Sequence, residues 1–334
     1  MQSSGSRRRS GRTSAPSISI EPWPNSRAAR DDSERCDVAE TEVARVSVRE
    51  VGAGSPAWKR VGSAVVLIPV FVWVTTGAPT WVFQLLVIAA SAAACAELAR
   101  MFERTGRPIS TWLTVGVGAA LTASFATSLY AGLGDDGKPL RWMPTPELAL
   151  VLGIGLICSA PLWTSGRPLV ESSANTVFGA VYVGWLLGYA IWLQGRVDGP
   201  QLVLFLVGVT WAGESAAYLV GSSVGRHRLA PILSPRKTLE GAIAQVIVSV
   251  AAALVLAAWL QPACSLAGAA GGGALLGVIG QVGDLAESAI KRSIGTKDTG
   301  GLIPGHGGML DRIDSLLFNA PALYLYSLYA WCRA

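Results

Sequence analysis

Residues 283–315 read GDLAESAIKRSIGTKDTGGLIPGHGGMLDRIDS. The stretch holds five acids (Asp284, Glu287, Asp298, Asp311, Asp314), four basic residues (Lys291, Arg292, Lys297, Arg312) and one of the chain's two histidines, His306. It is rich in glycine and lies between two strongly apolar segments. The 334-residue chain is 51% apolar and only 15% charged, with a mean hydropathy of +0.43. Those values belong to membrane proteins rather than soluble domains. A charged island in such a chain is either a solvated loop between membrane helices or a site for phosphates at the membrane surface.

The spacing favours the site. Asp284, Glu287, Ser288 and Lys291 recur at i, i+3, i+4 and i+7, which places them on one helix face. Asp311, Asp314 and Ser315 repeat the first three steps at the start of the next apolar segment. Between them, Pro304-Gly305-His306-Gly307-Gly308 breaks regular helix. Two helix ends thus present carboxylates toward a shared space. Hard oxygen ligands suit Mg²⁺, which takes one or two carboxylates together with water and substrate phosphates. Lysine, arginine and glycine amides suit phosphate oxygens.

Working outward, nine apolar stretches approach the ~20 residues that cross a bilayer: 60–76, 80–99, 111–133, 147–163, 176–193, 201–221, 239–260, 265–283 and 313–331. The expected fold is all-α and polytopic, with a tight hairpin at Gly77-Ala78-Pro79. Residues 1–57 carry nine arginines and eight acids with few large apolar side chains. They form an expected disordered tail, and 58–334 the membrane domain. With the N-terminus inside, the inner connections hold fourteen Lys and Arg and the outer ones four. This bias predicts a cytoplasmic N-terminus and puts 283–315 on the cytoplasmic side. Acids at membrane depth are costly. For Glu97 the simplest account is an ion pair with Arg100 at i+3. Glu147 marks a helix start, where the dipole favours an acid.

A second informative stretch is Trp211-Ala-Gly-Glu214-Ser215-Ala-Ala-Tyr218, continuing through Gly225-Arg-His227 to Ser234-Pro235-Arg236-Lys237-Thr238-Leu-Glu240-Gly241. Hydroxyls and cations are packed just before a helix start, where Thr238 can cap and the N-terminus attracts anions. His227 is read as a loop histidine. Elsewhere the signals are structural. The cysteines (36, 95, 158, 264, 332) have no metal or redox spacing, and Cys95 and Cys158 are read as small buried residues. Gly271-Gly272-Gly273 suits close helix packing. There is no Walker loop, no GxGxxG after a strand, no zinc cluster and no indication of a nucleic-acid partner.

Ser288-Ala-Ile-Lys291-Arg292, then Lys297-Asp298-Thr-Gly300, then Ile303-Pro304-Gly-His306-Gly307-Gly308-Met-Leu-Asp311-Arg312-Ile-Asp314 resembles the signature of the phosphatidate cytidylyltransferase, or CDP-diacylglycerol synthase, family. The block from 211 to 241 resembles a second family element, with Glu214 and Ser215 where Asp and Thr are usual and Arg236 in place of a Lys. The resemblance implies CTP and phosphatidate as substrates, CDP-diacylglycerol and pyrophosphate as products, and membrane lipids as surroundings. It also implies a bacterial cytoplasmic membrane location with the site facing the cytoplasm, and a homodimer. On that reading Asp284 and Asp311 hold Mg²⁺, with a second cation as an open alternative, and Asp314 supports them. Lys291, Arg292, Lys297 and Arg312 neutralise phosphates, and Asp298 and His306 complete the catalytic set. Glu214, Ser234, Arg236, Lys237, Thr238, Glu287 and Ser288 contact substrate. Two other classes compete: a CTP-dependent lipid or prenol kinase, and a transporter relaying ions through Glu97 and Glu214.

Overall fold

A computed structural model describes residues 57–130, 145–162, 169–260, 264–296 and 308–329. Lys297, Asp298, His306 and the expected tail therefore lie outside the described residues. Helices occupy every described apolar stretch. They are α1 (Ala57–Thr76), α2 (Thr80–Arg104), α3 (Thr111–Tyr130), α4 (Pro146–Ser159), α5 (Leu169–Ala180), α6 (Leu186–Gln194), α7 (Gly199–Val224), α8 (Leu239–Leu260), α9 (Leu266–Ser293) and α10 (Leu310–Tyr329). A π-helical turn, Val181–Trp185, joins α5 to α6, so the two make one rod.

Six of these rods are long and apolar enough to cross a membrane: α2, α3, the α5–α6 rod, α7, α8 and α9. Leu67–Thr76 and Pro146–Ser159 are shorter apolar helices. α10 has 20 residues, but Asp311, Arg312, Asp314 and Asn319 dilute its apolar character. The described fold departs from all-α in one place. Arg228–Ala230 (β1) and Ser234–Thr238 (β2) pair antiparallel, Arg228 opposite Thr238 and Ala230 opposite Ser234. The Ser-Pro-Arg-Lys-Thr block is thus the second strand of a small ribbon between α7 and α8.

Local chemistry sets the helix limits. Ala78 and Gly77 donate to the Trp73 carbonyl, closing the α1–α2 hairpin. Thr145 caps α4 by accepting from the Leu148 N–H, with Pro146 and Glu147 in the first turn, as a helix start prefers. Ser265 caps α9 through the Gly268 N–H. Thr238 caps α8 through the Gly241 N–H at 3.2 Å.

Large apolar side chains such as Leu85, Val151, Ile247 and Trp259 are exposed. On rods of this length they form the surface offered to lipid tails. Between the rods, small residues permit close approach and buried polar groups pair, as is usual where lipid provides no hydrophobic drive for helix association. A Cβ on Gly273 would lie 2.7 Å from the Ser249 carbonyl of α8, and one on Gly277 2.9 Å from Val246 Cα. The glycine run in α9 is therefore a packing surface. Thr122 donates to Ser91 (2.7 Å), and Asn319 donates to Thr210 (2.9 Å). Cys95 is fully buried as expected, whereas Cys158 is exposed on the thin α4.

Candidate active site

Four elements converge on the signature residues: the C-terminal part of α7, the ribbon with the first turn of α8, the end of α9 and the start of α10. The close approach of α9 and α10 depends on Gly283. A Cβ there would meet the Asp314 carbonyl at 2.8 Å and Ser315 Cα at 3.2 Å. No side chain fits between the helices, so Asp284 on one lies beside Asp314 on the other. Gly283→Ala is expected to force the helices apart, costing about 1–3 kcal/mol of packing strain. Because small misplacements of reacting groups are expensive, it should lower turnover by about 10²-fold. Thermal unfolding and turnover of the purified variant check both.

Oxygens of Asp284, Glu287 and Asp314 all lie within 4.8 Å of one another. Glu287 is 1% exposed; it is within hydrogen-bonding reach of Asp314, while its Oε1 is buried without a partner. Three carboxyl groups so close repel one another unless cations intervene. Two lysines do so. Lys237 of β2 contacts Asp284 at 2.7 Å. Lys291 contacts Glu287 at 2.9 Å and Asp311 at 2.8 Å. Asp311 also accepts the Gly308 N–H at 3.4 Å. The family resemblance pairs Asp284 with Asp311. The structure's three-oxygen group instead joins Asp284 to Glu287 and Asp314, with Asp311 just outside it and tied in through Lys291. Helix phase gives the reason: Asp311 is in the first turn of α10 and reaches back to the helix start, and Asp314 one turn later faces α9.

α9 ends in a left-handed cap. Gly295 has φ +77°, its N–H bonds the Arg292 carbonyl, and the Thr296 N–H bonds the Lys291 carbonyl. This paired pattern is a common helix stop. Arg292 is not at the carboxylates; its Nε donates to the Leu233 carbonyl at 3.4 Å, fastening the ribbon to α9. Ser288 is half-buried on α9, outside the three-carboxylate group. Arg312 is exposed and near Glu214.

A cleft of about 530 Å³ opens beside the acids, with walls from α7, the ribbon, α8 and α9. Arg228, Arg236, Lys237 and Thr238 line it together with Glu214 and Asp284. Glu214 hydrogen-bonds Ser315 and lies close enough to Asp284 to feel its charge, so the longer acid still reaches the site. Ser234 is on the ribbon but outside the cleft lining. His227 contacts Glu240 at 2.7 Å, and the Arg226 and His227 N–H groups also bond that carboxylate. The histidine thereby fixes the turn onto α8.

Several contributors were not anticipated. Arg228, Tyr218 and Gln281 line the cleft. For Arg228 the signal is one more cation before a helix, and for Tyr218 its place in the 211–241 block; Gln281 has none. Glu97 does not pair with Arg100 as its i+3 spacing suggests. Arg100 is exposed, and Glu97 instead accepts the Leu310 N–H at 2.9 Å.

Comparison with known proteins gives the family. The model of the cytidylyltransferase family matches residues 58–330. The chain belongs to the cytidylyltransferase family. Among curated relatives, Uncharacterized protein YnbB of Escherichia coli (strain K12) is 44% identical over 160 residues, which is 45% of this chain and 53% of that protein. Phosphatidate cytidylyltransferase of Staphylococcus aureus (strain COL) is 32% identical over 183 residues, 54% of this chain and 70% of the relative. The enzyme of the same name from Staphylococcus haemolyticus (strain JCSC1435) is 33% identical over 191 residues, with the same coverage. The matched region thus spans about half of the first relative and about two thirds of the staphylococcal ones.

Proposed function

We propose that this cytidylyltransferase moves the cytidylyl group of CTP onto phosphatidate, giving CDP-diacylglycerol and pyrophosphate at the cytoplasmic face of the membrane. One observation carries the reading. Asp284 belongs both to the carboxylate group and to the cleft lined by Arg228, Arg236 and Lys237. Anion-binding and cation-binding chemistry therefore meet at one side chain. The names of the staphylococcal relatives support phosphatidate as acceptor.

The donor set fits magnesium: hard oxygens, clustered, with the buried Glu287 Oε1 lacking a partner. Asp284, Glu287 and Asp314 would hold the ion, with Asp311 beside them through Lys291, and when bound it would offset charge on phosphate oxygens. The remaining work falls to the chain's own residues. Arg228, Arg236 and Lys237 bind phosphates in the cleft, and the Thr238 cap and the start of α8 add a favourable field. Lys291 balances the acids and is placed to meet negative charge on the departing group. The lipid phosphate oxygen forms a bond to the α-phosphorus of CTP. The bond from that phosphorus to the bridging oxygen breaks, and pyrophosphate leaves with the electron pair. The attacking oxygen is already anionic, so no strong base is needed.

The test is purified protein in detergent with phosphatidate, Mg²⁺ and each of four nucleoside triphosphates. CTP labelled at the α-phosphate is expected to pass its label into lipid, and CTP labelled at the γ-phosphate is not. The reverse pattern identifies a lipid kinase and overturns the assignment.

A further inference from the structure

The segment between α9 and α10 is bracketed by two helix ends, and α2 with its following turn reaches both. At the α10 end, Glu97 of α2 is 2% exposed and accepts the Leu310 N–H across 213 residues of sequence. Leu310 is the first residue of α10. The preceding residue is Met309, whose thioether is a poor acceptor, so the cap comes from another helix. The second Glu97 oxygen is buried without a partner. Burying a carboxyl group with one hydrogen bond is costly, and the positive end of a helix is one of the few places that offsets the cost. At the α9 end, Arg107 donates from its guanidinium to the carbonyl of Ser293, the last residue of that helix, at 2.6 Å. A cation at a helix C-terminus again matches the dipole. The two side chains are ten positions apart, joined by a turn in which Gly106 has φ +74°.

We propose that Glu97 and Arg107 form an electrostatic clamp that sets the spacing of the two helix ends carrying Asp284, Glu287, Asp311 and Asp314. Both are positioning residues: neither touches the carboxylate group, and each acts on a helix terminus. Opposite charges sit on opposite helix poles, and both come from one short segment of α2 and its turn. The first half of the chain is thereby tied to a site built from the second half.

The effect on turnover rests on the reaction proposed above; the effect on helix ends does not. The full chain in detergent is therefore measured twice, by backbone hydrogen exchange without substrate and by the Mg²⁺ concentration giving half-maximal rate. Glu97→Ala is expected to speed exchange at Leu310–Asp314 by about 10-fold and raise the Mg²⁺ requirement by about 10-fold, as loss of supporting partners does at metal sites. Glu97→Gln keeps an acceptor for the Leu310 N–H and should show a smaller shift in both. Arg107 is exposed, so Arg107→Ala leaves folding intact. It should loosen 294–296 and raise the Mg²⁺ requirement, with partial rescue in Arg107→Lys. Wild-type exchange at both helix ends in folded variants overturns the clamp. Faster exchange with an unchanged Mg²⁺ requirement reduces it to fold stabilisation and equally overturns it. If Glu97→Ala does not fold, Arg107→Ala decides. If the wild type makes no liponucleotide, the assigned reaction fails and exchange alone decides whether the clamp exists.

Discussion

Asp284→Ala is expected to give a folded protein whose turnover falls by at least about 10²–10³-fold, the scale on which removing one preorganised electrostatic group slows an enzyme. The prediction separates activity from stability by sign. Asp284 sits among Glu287 and Asp314, and removing one of three mutually repelling carboxyl groups relieves repulsion in the ion-free protein. Lys237, its partner at 2.7 Å, is three-quarters buried but borders the cleft, so water can reach it. The melting temperature should therefore hold or rise slightly while pyrophosphate release collapses. Asp311→Ala should also abolish turnover. Added Mg²⁺ should not restore Asp284→Ala, because one of the proposed ligands is gone. Mg²⁺-dependent pyrophosphate release at wild-type rate in Asp284→Ala would remove the carboxylates from the reaction.

The sequence made the helices legible because bilayer-spanning segments carry a coarse signal: length and apolar content, with little demand on order. The α1–α2 hairpin, the Thr238 cap and the packing role of Gly273 could be read from local rules. The i, i+3, i+4 spacing puts the acids on one face of α9 and of α10, but that the two faces meet is seen only in the fold. Other features depended on phase and distance. Whether Asp311 or Asp314 faces α9 turns on where α10 begins, and a shift of one residue rotates a side chain by about 100°. The ribbon is not legible because Ser234-Pro235-Arg236-Lys237-Thr238 has none of the alternation of a half-buried strand; it closes through the turn at 231–233 and is held to α8 by the Arg226 and His227 N–H groups donating to Glu240. Glu97 shows the limit most plainly. Arg100, three residues away, is the partner that local spacing offers, and Leu310, 213 residues away, is the partner the fold supplies.

Lys291→Met is expected to be the most destabilising single change among the charged residues of the site. The side chain is 16% exposed and contacts both Glu287, whose side chain is 2% exposed, and Asp311, at 29%. Methionine keeps the aliphatic bulk and removes only the ammonium, so packing loss is small. Two acids are then left facing each other and Asp314 without a cation between them. Removing one partner of a buried ion pair costs about 3–5 kcal/mol. The low end, about 3 kcal/mol, applies because Asp311 keeps contact with solvent. Thermal unfolding should show a marked fall, and turnover should be lost as well. The double variant Lys291→Met/Glu287→Gln distinguishes the two effects. Neutralising Glu287 removes the uncompensated charge, so stability should recover in part, whereas turnover should not, because the cation proposed to meet the phosphates is still missing. If Lys291→Met melts as the wild type does, the ammonium is not what holds these carboxyl groups together, and the charge balance drawn for the end of α9 is wrong.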